Sequence, residues 1–134
     1  MIVQRHETLA LRSSDDVVRA RQAARAWAVE LGFSLIDQTK LVTATSELAR
    51  NTVQHGGGGS MRLESVSAGN RVGLRLTFED RGPGIADVEL ALQDGYTTGG
   101  GLGLGLGGSR RLVNEFEIVS RVGEGTRVCI TRWR

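Results

Sequence analysis

The chain reads as an α/β protein, a two-layer α/β sandwich in which helices cover one face of a mixed, mostly antiparallel sheet. Three observations predict this. Two apolar stripes at helical spacing follow one another in the first half of the chain. Two pairs of alternating segments surround short Gly-containing turns. A glycine-rich stretch in the second half leads into a further helical run. With 134 residues and 40% apolar residues the chain fits one domain over 1–134, with little room for a second module.

The elements follow in order. Residues 7–12 alternate as a short strand, and Ser13, Ser14, Asp15 and Asp16 offer caps for a helix. Val17, Ala20, Ala24, Trp27, Ala28 and Leu31 then form one stripe, which Gly32 stops. A second helix is expected over about 35–54. Leu41, Ala44, Thr45, Leu48 and Val53 lie on its buried side, and the run 55–59 ends it. Residues 61–66 and 71–78 read as a hairpin around Ala68, Gly69 and Asn70, its second strand alternating at Val72, Leu74, Leu76 and Phe78 and delivering Glu79 and Asp80 at its end. A short helical stretch at 87–93, the glycine segment, and a helix through 110–115 come next. Residues 116–122 and 126–133 close the chain as a second hairpin across Gly123, Glu124 and Gly125.

Composition excludes several classes. No apolar run approaches the ~20 residues of a membrane helix, and residues 1–7 lack the basic and apolar regions of an export signal, so a cytoplasmic protein without membrane association is expected. The net charge is +2, Lys40 is the only lysine, and aromatic residues make up 4%; with no basic stripe or stacking platform, nucleic acid is not an expected partner. The single cysteine, Cys129, excludes an intrachain disulfide and a thiolate metal site, and its strand context reads as buried and inert. Trp27 and Trp133 read as packing residues, and His6 and His55 as surface or loop residues.

Three constellations bear on chemistry. Glu47 and Asn51 are spaced i, i+4 on one face of the second helix, flanked by Arg50 and Gln54. This is either a solvated face or a site in which Asn51 offers a neutral oxygen to Mg²⁺ while Glu47 acts as a base. Asp80, followed by Arg81, Gly82, Pro83, Gly84 and Ile85, is either a tight turn or a carboxylate that accepts from an adenine amino group beside space opened by glycine. The stretch from Thr97 and Thr98 through Gly99, Gly100, Gly101, Leu102, Gly103, Leu104 and Gly105 to Gly108 is either a linker or a phosphate cradle, in which glycine lets backbone N–H groups approach an anion before a helix N-terminus. Leucine at every second position argues against a linker. No lysine follows as in a P-loop, and no first parallel strand precedes as in a dinucleotide fold.

In order, 47–51 (Glu-Leu-Ala-Arg-Asn), Asp80-x-Gly82-x-Gly84 and 99–106 resemble the N, G1 and G2 boxes of the GHKL ATPase/kinase superfamily, whose ATP-binding fold is the Bergerat fold. Over nearly the whole chain the resemblance is nearest to the bacterial switch serine/threonine kinases of the RsbT type, which share Ser46 through Asn51, the 94–98 approach and a 130–133-like ending. It implies ATP and Mg²⁺ as cofactors, with Glu47 as catalytic base and Asn51 as metal ligand. It also implies Asp80 on adenine, Gly82, Gly84 and Ile85 beside the base, and Thr97 through Gly105 around the phosphates, while Thr126 supports Asp80. The basic lid residue of related anti-sigma kinases is absent, which makes Arg50 the substitute candidate. The implied substrate is a Ser or Thr on a STAS-domain antagonist in a partner-switching cascade, with a PP2C-type phosphatase as the downstream partner. The alternatives are an anti-sigma factor kinase that binds a sigma factor, and a nucleotide-gated binding module without catalysis.

Overall fold

A computed structural model describes residues 1–93 and 105–134. Its strands are β1 (Ile2–Leu11), β2 (Gly59–Ala68), β3 (Arg71–Asp80), β4 (Glu115–Arg121) and β5 (Gly125–Trp133). Its helices are α1 (Ser14–Glu30), α2 (Leu35–Gln54), α3 (Val88–Ala91) and α4 (Gly105–Arg111). The five strands form one sheet in the order β1-β2-β3-β5-β4, and every pairing among the described residues is antiparallel, where the sequence reading expected a mixed, mostly antiparallel sheet.

Both long helices begin where their capping chemistry dictates. Ser13 accepts from the Asp16 N–H and Ser34 from the Asp37 N–H, each satisfying one of the donors that a first turn leaves free. The inward face of the sheet, with Leu63, Leu74, Leu76, Phe78, Val128 and Ile130, meets Ala20, Ala24, Trp27, Leu41, Ala44 and Leu48 of the helices in one core. Each fully buried Leu or Phe side chain in it contributes about 1.5–3 kcal/mol. Trp27 is 3% exposed, and its indole N–H donates to Glu7 Oε1 at 3.2 Å.

Two boundaries depart furthest from the sequence reading. β1 starts five residues earlier than the alternation suggested, because Ile2 to Leu11 pair with β2 from Ser67 back to Gly59. The α4 helix ends at Arg111 rather than continuing to residue 115. Asn114 instead joins the sheet, its N–H donating to Thr131 O and its Oδ1 accepting from Trp133 N at 2.7 Å. Cys129 is half-buried rather than buried. Strand parity puts it opposite to Val128 and Ile130, on the outer face beside Thr77 Oγ1 at 3.5 Å.

One ion pair fixes where α2 sits along the sheet. Arg132 of β5 donates from Nη2 to Asp37 Oδ1 at 2.7 Å and from Nη1 to Leu112 O at 2.9 Å, tying the first turn of α2 to β5 and to the segment after α4. The Arg132 hydrogen bond holds the Asp37 carboxyl below its ordinary range. Arg75 does the same for Glu64, and the Arg12 backbone N–H, with help from Arg19, for Asp16.

A carboxyl whose folded pKa is depressed contributes stability that is present above its unfolded pKa and lost as pH falls through the folded value. Unfolding free energy should therefore fall on acidification below about pH 5. Asp37→Asn should cost about 1–2 kcal/mol at pH 7 and flatten that acid slope, as measured by urea unfolding between pH 3 and 7. An unchanged acid slope in the variant would remove Asp37 from the account.

Candidate functional site

Four strand ends meet at one corner of the sheet. Asp80, the last residue of β3, lies opposite Gly59 of β2 and Thr126 of β5, and Thr126 in turn lies opposite Ser120 of β4. The Asp80 carboxylate is fixed through one oxygen. Oδ1 accepts from Gly82 N at 2.9 Å and from Thr126 N at 3.3 Å, and among the described residues Oδ2 takes no hydrogen bond.

The 81–85 loop is clamped onto the β4–β5 turn. Gly123 N donates to Pro83 O at 2.8 Å, and Ile85 N donates to Ser120 Oγ at 2.7 Å. Gly84 has φ +77°, and a Cβ there would lie 2.2 Å from Arg121 O, so both the backbone region and the space demand glycine. A Cβ on Gly82 would lie 2.6 Å from Gly56 O, and one on Gly56 would lie 2.3 Å from the Asp80 carboxyl carbon. The C-terminal end of α2, the 81–85 loop and the Asp80 side chain are thus in direct contact.

These pieces enclose a cavity of ≈ 460 Å³, within the range of small-molecule sites. Leu48, Phe78, Ile85, Leu90, Ala91, Leu106 and Val128 supply apolar wall, and Asn51, Thr52, His55, Asp80, Asp87 and Thr126 supply polar groups. Of the residues predicted from sequence, Asn51, Asp80, Gly84, Ile85, Gly105 and Thr126 line it. Glu47, Arg50 and Gly82 do not. Gly82 acts on the cavity through its hydrogen bond to Asp80, and Glu47 lies one helical turn before Asn51. Glu47 is 7% exposed, and its Oε2 lies 3.3 Å from Arg50 Nη1, so Arg50 is engaged by the carboxylate it flanks. Thr97, Thr98, Gly99, Gly100, Gly101, Leu102, Gly103 and Leu104 lie outside the described residues.

Sequence reasoning missed His55, Gly56 and Ser120, and it assigned no role to Asp87, Leu90 and Ala91. Ser120 had one readable signal: it is polar at a position in phase with inward-facing Phe116 and Ile118. Among the described residues no three His, Cys, Asp or Glu side chains cluster as a metal site. A divalent cation at this cavity would rely on the Asn51 amide oxygen together with ligand oxygens and water. That donor set suits Mg²⁺, which keeps several waters and takes few protein ligands.

The described helices include none long and apolar enough to cross a membrane. A family described as histidine kinase-, DNA gyrase B-, and HSP90-like ATPase matches residues 36–133. The chain is 46% identical over 118 residues to the serine/threonine-protein kinase RsbT of Bacillus subtilis, covering 88% of this chain and 89% of that one. It is 33% identical over 116 residues to the anti-sigma F factor of Anoxybacillus flavithermus, covering 81% and 78%. The crystal structure of the RsbU and RsbW domains of Rv1364c from Mycobacterium tuberculosis superimposes with a TM-score of 0.63 at 23% identity. It covers 98% of this chain, which spans about a third of that longer protein (33%), and the likeness is one of fold.

Gly84→Ala should destabilise the protein by roughly 1–3 kcal/mol, because the strained backbone and the collision with Arg121 O act together. Gly57→Ala is the control: φ there is +74°, but nothing lies within 4 Å of the added Cβ. Urea unfolding of the two variants separates backbone strain, common to both, from the collision, which only Gly84 has.

Proposed function

The chain belongs to the histidine kinase-, DNA gyrase B-, and HSP90-like ATPase family, and on that premise we propose that it is an ATP- and Mg²⁺-dependent serine/threonine-protein kinase of a bacterial partner-switching cascade. Its substrate in this reading is a Ser or Thr hydroxyl of a STAS-domain antagonist. Release from that partner then lets it activate a PP2C-type phosphatase. Residues 1–134 act as one ATP-binding kinase domain in the cytoplasm. The relative named serine/threonine-protein kinase RsbT supports the activity class.

The observation that carries the reading is the occurrence of Asp80 and Asn51 on the walls of one cavity. The free Oδ2 of Asp80 accepts the adenine amino group, a charged hydrogen bond worth about 1.5–3 kcal/mol. Guanine carries an acceptor where adenine carries that donor, so a carboxylate here selects against it. Gly84 and Ile85 flank the base, Thr126 holds Asp80, and the phosphates extend toward Asn51 and Gly105, with Thr97 through Leu104 completing their cradle. Asn51 holds Mg²⁺, which when bound neutralises charge on the phosphates.

Transfer then needs a base for the acceptor hydroxyl. Glu47 takes its proton as the hydroxyl oxygen bonds to the γ-phosphorus and the bond to the β,γ-bridging oxygen breaks, leaving ADP. Arg50, paired to Glu47 at 3.3 Å, is the side chain that would steady this carboxylate, and it stands nearest to the role of the absent lid cation. A second reading, an anti-sigma factor that binds a sigma factor, draws on the relative at 33% identity. Pull-downs with a sigma factor and with a PP2C-type phosphatase separate the two.

Asp80→Asn should weaken ATP binding by roughly 10- to 100-fold in calorimetry with Mg²⁺ present. Glu47→Ala should bind ATP within a few-fold of the parent yet transfer phosphate to a STAS-domain protein ~10²–10⁴-fold more slowly. Normal transfer by the Glu47 variant would remove it as the base, and failure of the parent protein to take up ATP would overturn the kinase reading itself.

A further inference from the structure

Ser120 does not line the cavity, yet its hydroxyl touches two of the elements that do. Oγ accepts from Ile85 N at 2.7 Å, lies 2.8 Å from Thr126 Oγ1, and lies 3.3 Å from Gly125 O. Thr126 stands directly across from Ser120 in β4–β5 and directly across from Asp80 in β3–β5, so Ser120, Thr126 and Asp80 form one row over three neighbouring strands. A hydroxyl has one proton and two lone pairs. One lone pair of Ser120 is taken by Ile85, and its proton goes either to the Gly125 carbonyl or to Thr126.

The choice decides what Thr126 can offer the cavity. If Ser120 gives its proton to Gly125 O, Thr126 must donate to Ser120 and presents only lone pairs inward. If Ser120 donates to Thr126, the Thr126 proton is free to point at a ligand. The 2.8 Å contact is made in either arrangement, so the direction of the Ser120 proton sets what Thr126 offers, and a ligand that accepts from Thr126 draws the pair into the second. Next to the acceptor Asp80, a Thr126 donor creates an acceptor–donor pair, the complement of adenine's amino group and its neighbouring ring nitrogen.

We infer that Ser120 is a positioning residue for base recognition, which by donating to Thr126 frees the Thr126 proton for the base and which anchors Ile85 against the base plane. The inference rests on the nucleotide-binding reading above and extends it to a residue outside the cavity wall. Ser120→Ala removes a partner from Ile85 N and from Thr126 Oγ1 at once, while a half-buried site near the sheet edge tolerates the smaller side chain.

The test is calorimetric titration of the full chain with ATP and with GTP, Mg²⁺ present, for the parent, Ser120→Ala, Ser120→Thr, Thr126→Val and the Ser120→Ala/Thr126→Val double variant. Thermal unfolding of each ligand-free protein accompanies it. Ser120→Ala should weaken ATP binding roughly tenfold and narrow the ATP-to-GTP preference, and Ser120→Thr, which keeps the hydroxyl, should restore both. The double variant should lose less than the sum of the single losses, since Ser120 acts partly through Thr126. A purely structural serine would lower thermal stability without changing the preference between bases. ATP binding by Ser120→Ala equal to that of the parent, equal impairment of the Ala and Thr variants, or strict additivity would overturn the role of Ser120 alone. A parent protein that takes up no ATP would overturn it together with the nucleotide reading.

Discussion

The corner where β3 ends and β5 begins depends on a single carboxylate being held in place. Asp80 Oδ1 receives two backbone N–H groups, one from the loop that follows it and one from the strand beside it. A half-buried carboxylate without such donors would lose part of its hydration uncompensated on closing the cavity. With them, one oxygen is satisfied by the fold, and the other takes no hydrogen bond among the described residues. Glycines close the same corner: Gly56 abuts the Asp80 side chain, Gly82 abuts Gly56, and Gly84 abuts the backbone of Arg121.

The second determinant is the long helix α2. Its apolar side is locked into the core through Leu41, Ala44 and Leu48, so the polar face carrying Glu47 and Asn51 has one possible orientation relative to the sheet. The Asp37–Arg132 pair then fixes the helix along its axis, since Arg132 belongs to the strand that also carries Thr126. A shift of α2 by one turn would move Asn51 by about 5.4 Å, enough to separate it from the cavity. Core packing and one well-formed ion pair together bring Asn51 to the cavity wall.

Much of the fold was legible because its signals are local. The limits of α2 follow from a continuous apolar stripe and a glycine run, both within the helix or next to it, and the structure adds Ser34 as its cap. The hairpin of β2 and β3 follows from alternation and Gly69. The first half of β1 was not legible: Ile-Val-Gln-Arg-His has no alternation, most of it is exposed on an edge strand, and only pairing with β2 makes it a strand. Asn114 looked like part of a helix because nothing nearby in sequence shows that Thr131 and Trp133 will claim its backbone and side chain. Cys129 misled for a related reason, since strand parity tells which residues share a face but not which face is covered.

For the site, the sequence by itself determined the chemistry on offer: a carboxylate at a strand end before glycines, a carboxylate and an amide one helical turn apart, and a threonine after the last tight turn. Residue type and short-range spacing carry that information, because backbone geometry converts i, i+4 or strand-end positions into directions without reference to the rest of the chain. Only the tertiary structure decided that Asp80, Thr126 and Ser120 form one row, that Gly56 abuts Asp80, and that Asn51 shares a cavity with Asp80 and Thr126 while Glu47 and Ser120 do not line it. Apart from the Ser120–Thr126 pair across the last turn, those relations join residues tens of positions apart, and they arise from strand order and core packing, which no local pattern encodes.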